Sequence, residues 1–422
     1  MAFPKMVKIR QEFKTNPIQD IPGTVSAELA KLNLRRTMKP GASVAITAGS
    51  RGIADIDIVI GAVVKELKEI GAKPFIVPAM GSHGGGTATG QKMVLAKYGI
   101  TKETMGVPIR SSMEVVEIGS TSHGLPVFLD KNASKADHIV VVARIKPHTD
   151  FKAPIESGFL KMMTIGLGKQ SGADLYHQGV VQFGYYPIIL AVGREVLKRA
   201  PVAFGVGLVE NQRDELAIIR AVPAKEIEET DRKLLRTAKR IMPRIPALDP
   251  IDLLIVDQIG KEISGSGMDP NVIGRHIVPF AKFPPKPKIL RIFVRDLTPN
   301  TYGNATGIGL ADFTSQRLVD KIDYQATYMN CITGGSPEQG RIPPHYKSDH
   351  ETIETAFRTF GLVKPKDARV VHIANTLRLE EMEISESMMA DAKTLSNVTV
   401  VGKPRPMAFD RRRNLISTLP TE

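Results

Sequence analysis

The stretch SVAITAGSRGIADIDIVIGAVVKELKEIGAKPFIVPAMGSHGGGT, residues 43–87, decides the fold class. Ser43 to Ala48 is a short apolar run closed by Gly49, which reads as a buried strand. Ile56 to Ile70 repeats its apolar residues at helical spacing and stops at Gly71, a residue suited to ending a helix. Lys73 to Pro78 holds a second strand, and a glycine-rich turn follows it. Gln91 to Tyr98 then reads as another helix. Strand, helix, strand, loop, helix is the order of a parallel α/β sheet.

Working outward, HIVVVAR at residues 138–144 is the clearest central strand, and Lys146-Pro147-His148 stops it. Pro187 to Arg199 and residues 226–241 read as helices, and Ala203 to Val209 as a strand. Met242 to Pro250 carries three prolines in nine residues, a density that favours an extended connector. The expected domains are therefore 1–245 and 246–422, both α/β, with an active-site cleft between them. The second restarts at Ile251–Val256 as a strand and continues with Leu290–Val294 (strand), Gly309–Ile322 (helix) and Ala368–Ile373 (strand).

Composition removes several classes. Apolar residues form 42% and charged residues 24% of the 422, an ordinary globular balance. Trp is absent and aromatics are 5%, so stacking platforms for single-stranded nucleic acid are not expected. One cysteine, Cys331, excludes an intrachain disulfide framework and any cysteine-rich metal site. The net charge of +13 is dispersed, its densest run being Arg411-Arg412-Arg413, so it suits small anionic ligands better than nucleic acid. No apolar stretch is long enough for a membrane span, and Met1 to Lys14 lacks a signal-peptide core. A cytoplasmic enzyme without membrane or nucleic-acid partners is the expectation.

Three loops follow strands of the first half, where an open α/β sheet places its ligands. Ala48-Gly49-Ser50-Arg51-Gly52-Ile53 imitates a dinucleotide turn, but its third glycine is missing and no Tyr-x-x-x-Lys pair accompanies it. That leaves a nicotinamide-dependent dehydrogenase as the weaker enzyme reading, with a basic nucleic-acid-binding protein as the non-enzyme one. Arg51 in a glycine loop still suits a carboxylate or phosphate. In the second loop Gly81, Gly84, Gly85 and Gly86 surround His83. In the third, His148 directly follows the central strand, with Glu156-Ser157-Gly158-Phe159-Leu160-Lys161 next and His177 sixteen residues after the lysine. Each histidine alone is as often structural as catalytic, and three together also allow zinc.

Ser157-Gly158-x-x-Lys161 with His177, Pro147-His148 and Gly81-Ser82-His83-Gly84 resembles the nickel-dependent lactate racemase family over most of the first 215 residues. Ser264-Gly265-Ser266-Gly267-Met268-Asp269-Pro270-Asn271 continues the likeness. The resemblance implies a 2-hydroxyacid racemase or epimerase, an isomerase of class 5.1.2, acting on a small molecule. It implies a nickel pincer nucleotide (pyridinium-3,5-bisthiocarboxylic acid mononucleotide nickel) attached covalently through Lys161, with His177 as the protein's nickel ligand. His83 and His148 inherit the acid/base roles, Gly84 and Gly85 line the cofactor loop, and Arg51 holds the substrate carboxylate. Thr87, Lys152, Glu156 and Lys169 are weaker candidates to touch the nucleotide phosphate or orient a histidine. The chain departs from the family at Ala48, where an aspartate is usual, and at Gly274 and Ile277, where a glutamine and a lysine contact substrate. Arg275 lies between the last two and is expected to supply the missing charge. The smaller Gly274 suggests a substrate larger than lactate: a sugar acid first, then a dicarboxylic or aromatic hydroxy acid.

Overall fold

A computed structural model describes residues 3–50, 52–277 and 286–420. It is an α/β protein made of two compact units. One spans Thr15–Met242. The other takes the described chain up to Lys14 together with the chain from Pro243 onward.

The first unit is built on a five-stranded sheet in the spatial order Lys73–Pro78, Ser43–Ala48, His138–Arg144, Val202–Glu210, Leu216–Pro223. The first four strands are parallel and the last is antiparallel to its neighbour. Residues of the central strand alternate between two cores. Val140 and Val142 join Val44, Ile46 and Phe204 on one face, while Ile139, Val141 and Ala143 join Ala45, Phe75 and Val77 on the other. Because helices cover both faces, the strand reads as a continuous apolar run rather than an alternating one. Each fully buried Val or Ile contributes roughly 1.5–3 kcal/mol, which makes this sheet the scaffold for the loops at its end.

The helix after the first strand runs Ile56–Glu69, and Gly71 follows it with φ +83°, in the left-handed region glycine adopts without a Cβ penalty. The helix expected at 91–98 is Ala88–Lys97, and the hydroxyl of Thr87 accepts from the backbone N–H of Gly90 at its start. Going from the first strand, the chain adds Lys73–Pro78 on one side and His138–Arg144 on the other. This reversal creates a topological switch point between Ser43–Ala48 and His138–Arg144, and ligands of open α/β sheets bind at the carboxyl ends there.

The second unit holds an eight-stranded sheet in the order His345–Tyr346, Phe313–Ser315, Ile289–Leu297, Ile251–Ile259, Val370–Ile373, Glu381–Ser385, Met6–Gln11, Val398–Arg405. Two expectations change here. The strand Met6–Gln11, assigned by sequence to the first domain, pairs antiparallel with both Glu381–Ser385 and Val398–Arg405. The helix expected over 309–322 is instead a turn at Ile308–Leu310, a short strand Phe313–Ser315 and a four-residue helix Gln316–Val319. Phe313 and Thr314 pair in parallel with Phe293 and Val294, and Ser315 caps the helix through Leu318. Pairing with a strand already in place outweighs the local helical spacing. His372 is buried between Asp257 (2.6 Å) and Glu383 (3.0 Å). Burial lowers its pKa, but the two carboxylates outweigh that and raise it.

Among the described residues no helix is long and apolar enough to cross a membrane.

Candidate active site at the sheet switch point

The loops marked by sequence follow Ser43–Ala48 and His138–Arg144, the two strands at the switch point, and Lys73–Pro78, the edge strand next to the first; the first loop is described in part. Arg51 lies outside the described residues. Its neighbours are in place: Ala54 donates its N–H to Glu210 Oε1 (2.7 Å), and Arg144 Nη1 donates to the Gly52 carbonyl (3.3 Å).

His148 is brought to Lys161 by a backbone bridge. Lys146 and Ser157 exchange both N–H···O bonds at 3.2 Å, folding the loop back on itself. Glu156, fully buried, accepts from the His148 N–H (2.6 Å), the Ala153 N–H (3.0 Å) and Lys239 Nζ (2.6 Å). With the main chain fixed, the side chains meet: Lys161 Nζ contacts His148 Nε2, and the Asp150 N–H donates to His148 Nδ1 at 3.0 Å. The His148 side chain is 11% exposed. Burial pushes its pKa well below the ordinary imidazole value, and Lys161, Lys146 and Lys152 push it the same way. The ring is therefore neutral near pH 7 and able to accept a proton.

Lys161 ends a short helical turn, Phe159–Lys161, that runs into a π-helical turn, Met162–Gly166. Asp231, from the helix Ile227–Ile241, accepts the N–H groups of Phe159 and Leu160, both at 2.9 Å. Burial pushes the Asp231 carboxyl up to about 7 against the pull of those two bonds. Gly158 makes this approach possible, since a Cβ there would sit 2.0 Å from Asp231 Oδ1. Its backbone is extended, so the constraint is steric alone. Gly158→Ala is expected to cost of the order of 3 kcal/mol by disrupting a buried, doubly bonded carboxylate. The double variant with Asp231→Ala should cost no more than Asp231→Ala alone, because the clash is gone. Thermal unfolding of the full chain measures both, and a Gly158→Ala loss under about 0.5 kcal/mol, the size of an ordinary surface change, contradicts this role.

His177 lies on the helix Lys169–Phe183. Its Nδ1 is buried and has no hydrogen-bond partner among the described residues. Burial lowers its pKa, and the Lys161 charge adds to that. An aromatic pair missed by the sequence reading connects the two imidazoles. Phe151 and Tyr185 stack at 4.9 Å between centroids, His148 lies 4.6 Å from Phe151, and His177 meets Tyr185 edge-on at 6.3 Å. The signal was their closeness in sequence to His148 and His177, without a periodicity to mark them.

His83 is exposed on the glycine loop after Lys73–Pro78, and its Nδ1 contacts the Ser50 hydroxyl. The loop touches the turn that follows Lys161: the Gly81 N–H points to the Gly166 carbonyl at 3.5 Å, and a Cβ on Gly81 would lie 3.1 Å from the Ile165 side chain. Gly84 has φ +68° and sits so close to Gly90 and Gln91 that a Cβ would meet their backbone at 2.6 Å. Its need is structural. Gly85, with φ +65°, has open space where a Cβ would be. Among the described residues no group of three or more His, Cys, Asp or Glu is placed to hold a metal ion, so the three-histidine zinc alternative finds no such cluster there.

Residues 7–182, which contain His83, His148, Lys161 and His177, match the family described as Lactate racemase N-terminal domain. This part of the chain is similar to that domain. Solved structures similar to it include the lactate racemase apoprotein from Thermoanaerobacterium thermosaccharolyticum, at 14% identity and TM-score 0.47, covering 83% of this chain and 91% of that one. A protein from Thermotoga maritima is similar at 12% identity and TM-score 0.49, covering 85% and 96%. No curated relative matches the chain.

The two lactate-racemase departures in the second unit take on physical causes. Arg275 forms an ion pair with Asp312 and donates to the carbonyls of Leu310 (3.1 Å), Ile289 (3.2 Å) and Leu290 (3.0 Å). Its guanidinium clamps a strand and a turn of its own unit. Gly274 ends the helix Pro270–Ile273 with φ +63°, and a Cβ there would meet backbone atoms of Lys286 and Pro287 at 2.4–2.7 Å. Its small size answers a backbone need and gives no measure of pocket room.

Proposed function

We propose that this protein, whose residues 7–182 match the lactate racemase N-terminal domain, belongs to that family and inverts C2 of a 2-hydroxy acid as a racemase or epimerase, with a nickel pincer nucleotide as cofactor. The observation that carries the reading is the convergence at one switch point of a neutral buried imidazole, a lysine touching it, and a second imidazole with an unsatisfied buried nitrogen. The residues fit the cofactor. Lys161 offers an amine for the covalent link, and His177 offers the orphaned Nδ1 as a metal donor. Bound there, the nucleotide supplies an electrophilic carbon able to accept a hydride.

The protein's own residues do the rest. A hydroxy acid loses its hydroxyl proton as its C2 hydrogen leaves, and a planar oxoacid results. Return of hydride to the opposite face, with return of a proton to oxygen, gives the other enantiomer. His148 is set to take the hydroxyl proton, since burial, with the charges of Lys146 and Lys152, keeps it neutral. His83 is the second such group, held by Ser50 through Nδ1. Lys146 and Lys152 give the His148 side of the site a positive field that favours a carboxylate. Arg51 remains the proposed carboxylate anchor.

The test is a screen of 2-hydroxy acids against cofactor-loaded enzyme, read by chirality and by deuterium at C2. It spans lactate, aldonic acids, dicarboxylic acids and aromatic hydroxy acids. Lactate is expected to be a poor substrate, because Ile277 and the committed Arg275 offer no second cation at the positions where the family has one. Inversion of none of these acids by nickel-loaded protein would overturn the assignment.

A further inference from the structure

We propose that Lys169 is a positioning residue for the His83 imidazole, acting through the side-chain amide of Gln91. Lys169 and Gln91 are both fully buried. Lys169 Nζ donates to the Pro78 carbonyl at 2.7 Å and to Gln91 Oε1, and lies 3.6 Å from Asp130 Oδ2. Gln91 Nε2 in turn donates to the carbonyls of Gly81 (2.8 Å) and His83 (3.2 Å).

The logic is one of hydrogen-bond sign. A glutamine amide has an accepting end and a donating end of nearly equal shape, and either can point either way. An ammonium only donates, so it accepts no face of Gln91 but the oxygen. That choice commits the NH₂ group to the loop, where two carbonyls on either side of Ser82 need donors. Gly81, Gly84, Gly85 and Gly86 all have φ between +57° and +68°, and the loop closes through turn bonds from His83 N–H to the Met80 carbonyl (3.1 Å) and from Gly86 N–H to the Ser82 carbonyl (2.9 Å). The Gln91 bonds add to these from outside the loop, and the imidazole follows the backbone to which it is attached.

Two costs accumulate at Lys169. It is a charge removed from water, and it is a non-glycine residue with φ +56°. Burial lowers the Lys169 pKa and raises that of Asp130, each against the pull of the other. An apolar residue of similar volume would fill the space at no such cost. What only a donor at this place supplies is the orientation of Gln91.

The inference deepens the reading of His83 as an acid/base group, and its test uses cofactor-free full-length protein, so it stands or falls separately from that reading. Histidine labelled with ¹³C at Cε1 gives the imidazole signals, and the spectrum of His83→Gln assigns His83. Carbethoxylation by diethyl pyrocarbonate, followed by peptide mass spectrometry, gives its reactivity, with exposed His123 and His345 as internal references. Lys169→Met should move the His83 signal and raise its modification rate about fivefold, the effect of losing one net hydrogen bond. The references should stay within about twofold of wild type, well inside that effect. Gln91→Glu separates positioning from packing. It keeps the volume and strengthens the contact to Lys169, yet removes both donors to the loop, and should give the same change at His83. It also decides the matter if Lys169→Met does not fold. Unchanged His83 signals and reactivity in folded Gln91→Glu overturn the proposal.

Discussion

His148→Ala in cofactor-loaded enzyme should slow inversion by about 10²–10⁴-fold, the usual worth of general acid/base catalysis. Its burial, the Asp150 N–H on Nδ1 and the charges of Lys146 and Lys152 all favour a neutral ring, which is the form that accepts the hydroxyl proton. The ring's attachment is rigid, because Glu156 ties its backbone N–H to Ala153 and Lys239. Truncation therefore removes a base that is held in place, without loosening what holds it. Covalent cofactor should remain on the variant, since Lys161 is untouched. His123→Ala, which alters an exposed ring stacked on Phe183, serves as the control and should change the rate less than about twofold. A His148→Ala enzyme within tenfold of wild type would remove His148 from the reaction.

Lys161→Ala should abolish the covalent mass addition altogether. Protein produced together with the cofactor's biosynthetic enzymes is weighed intact and then mapped by peptide. The wild type is expected to carry the addition on the peptide containing Lys161. Lys161→Arg should lose it just as completely, because a guanidinium stays protonated and is no substitute for an amine nucleophile. This variant keeps a positive charge and a long side chain beside His148, so it separates loss of the link from loss of charge. Since Asp231 fixes the turn ending at Lys161 by backbone bonds alone, neither variant should unfold the protein. Finding the addition on another lysine, or full activity in Lys161→Ala, would falsify the anchoring role.

The parallel sheet was legible because strands buried on both faces are uninterrupted apolar runs, and because glycine and proline punctuate them. Residues 138–144 are the plainest case. The strand Met6–Gln11 was not legible, since its partners lie some 375 residues away, from Glu381 onward, and local pattern carries no trace of them. At 309–322 the spacing mimicked a helix, and only the neighbouring Phe293 and Val294 show why Phe313 and Thr314 extend. His83, His148, Lys161 and His177 stood out as three histidines and a lysine, two of the histidines on loops that follow strands, within motifs that resemble a known family. Their supports did not. Phe151, Tyr185, Asp231 and the Lys169–Gln91 pair act through contacts between distant segments. Arg275 has a partner that its motif does not announce, Asp312, 37 residues on.

The placement of Met6–Gln11 has a consequence for how the chain is made. The first unit is an insertion, bracketed by a strand and the rest of the sheet to which that strand belongs. During synthesis at roughly 5–20 residues per second, that strand waits on the order of twenty seconds to over a minute for its partners to emerge. Meanwhile residues 15–242 have everything their own sheet requires and can fold on the ribosome. The outer unit closes only near the end of translation. Until then its opening strand, with Met6, Val7 and Ile9 unburied, is a hydrophobic segment available to chaperones.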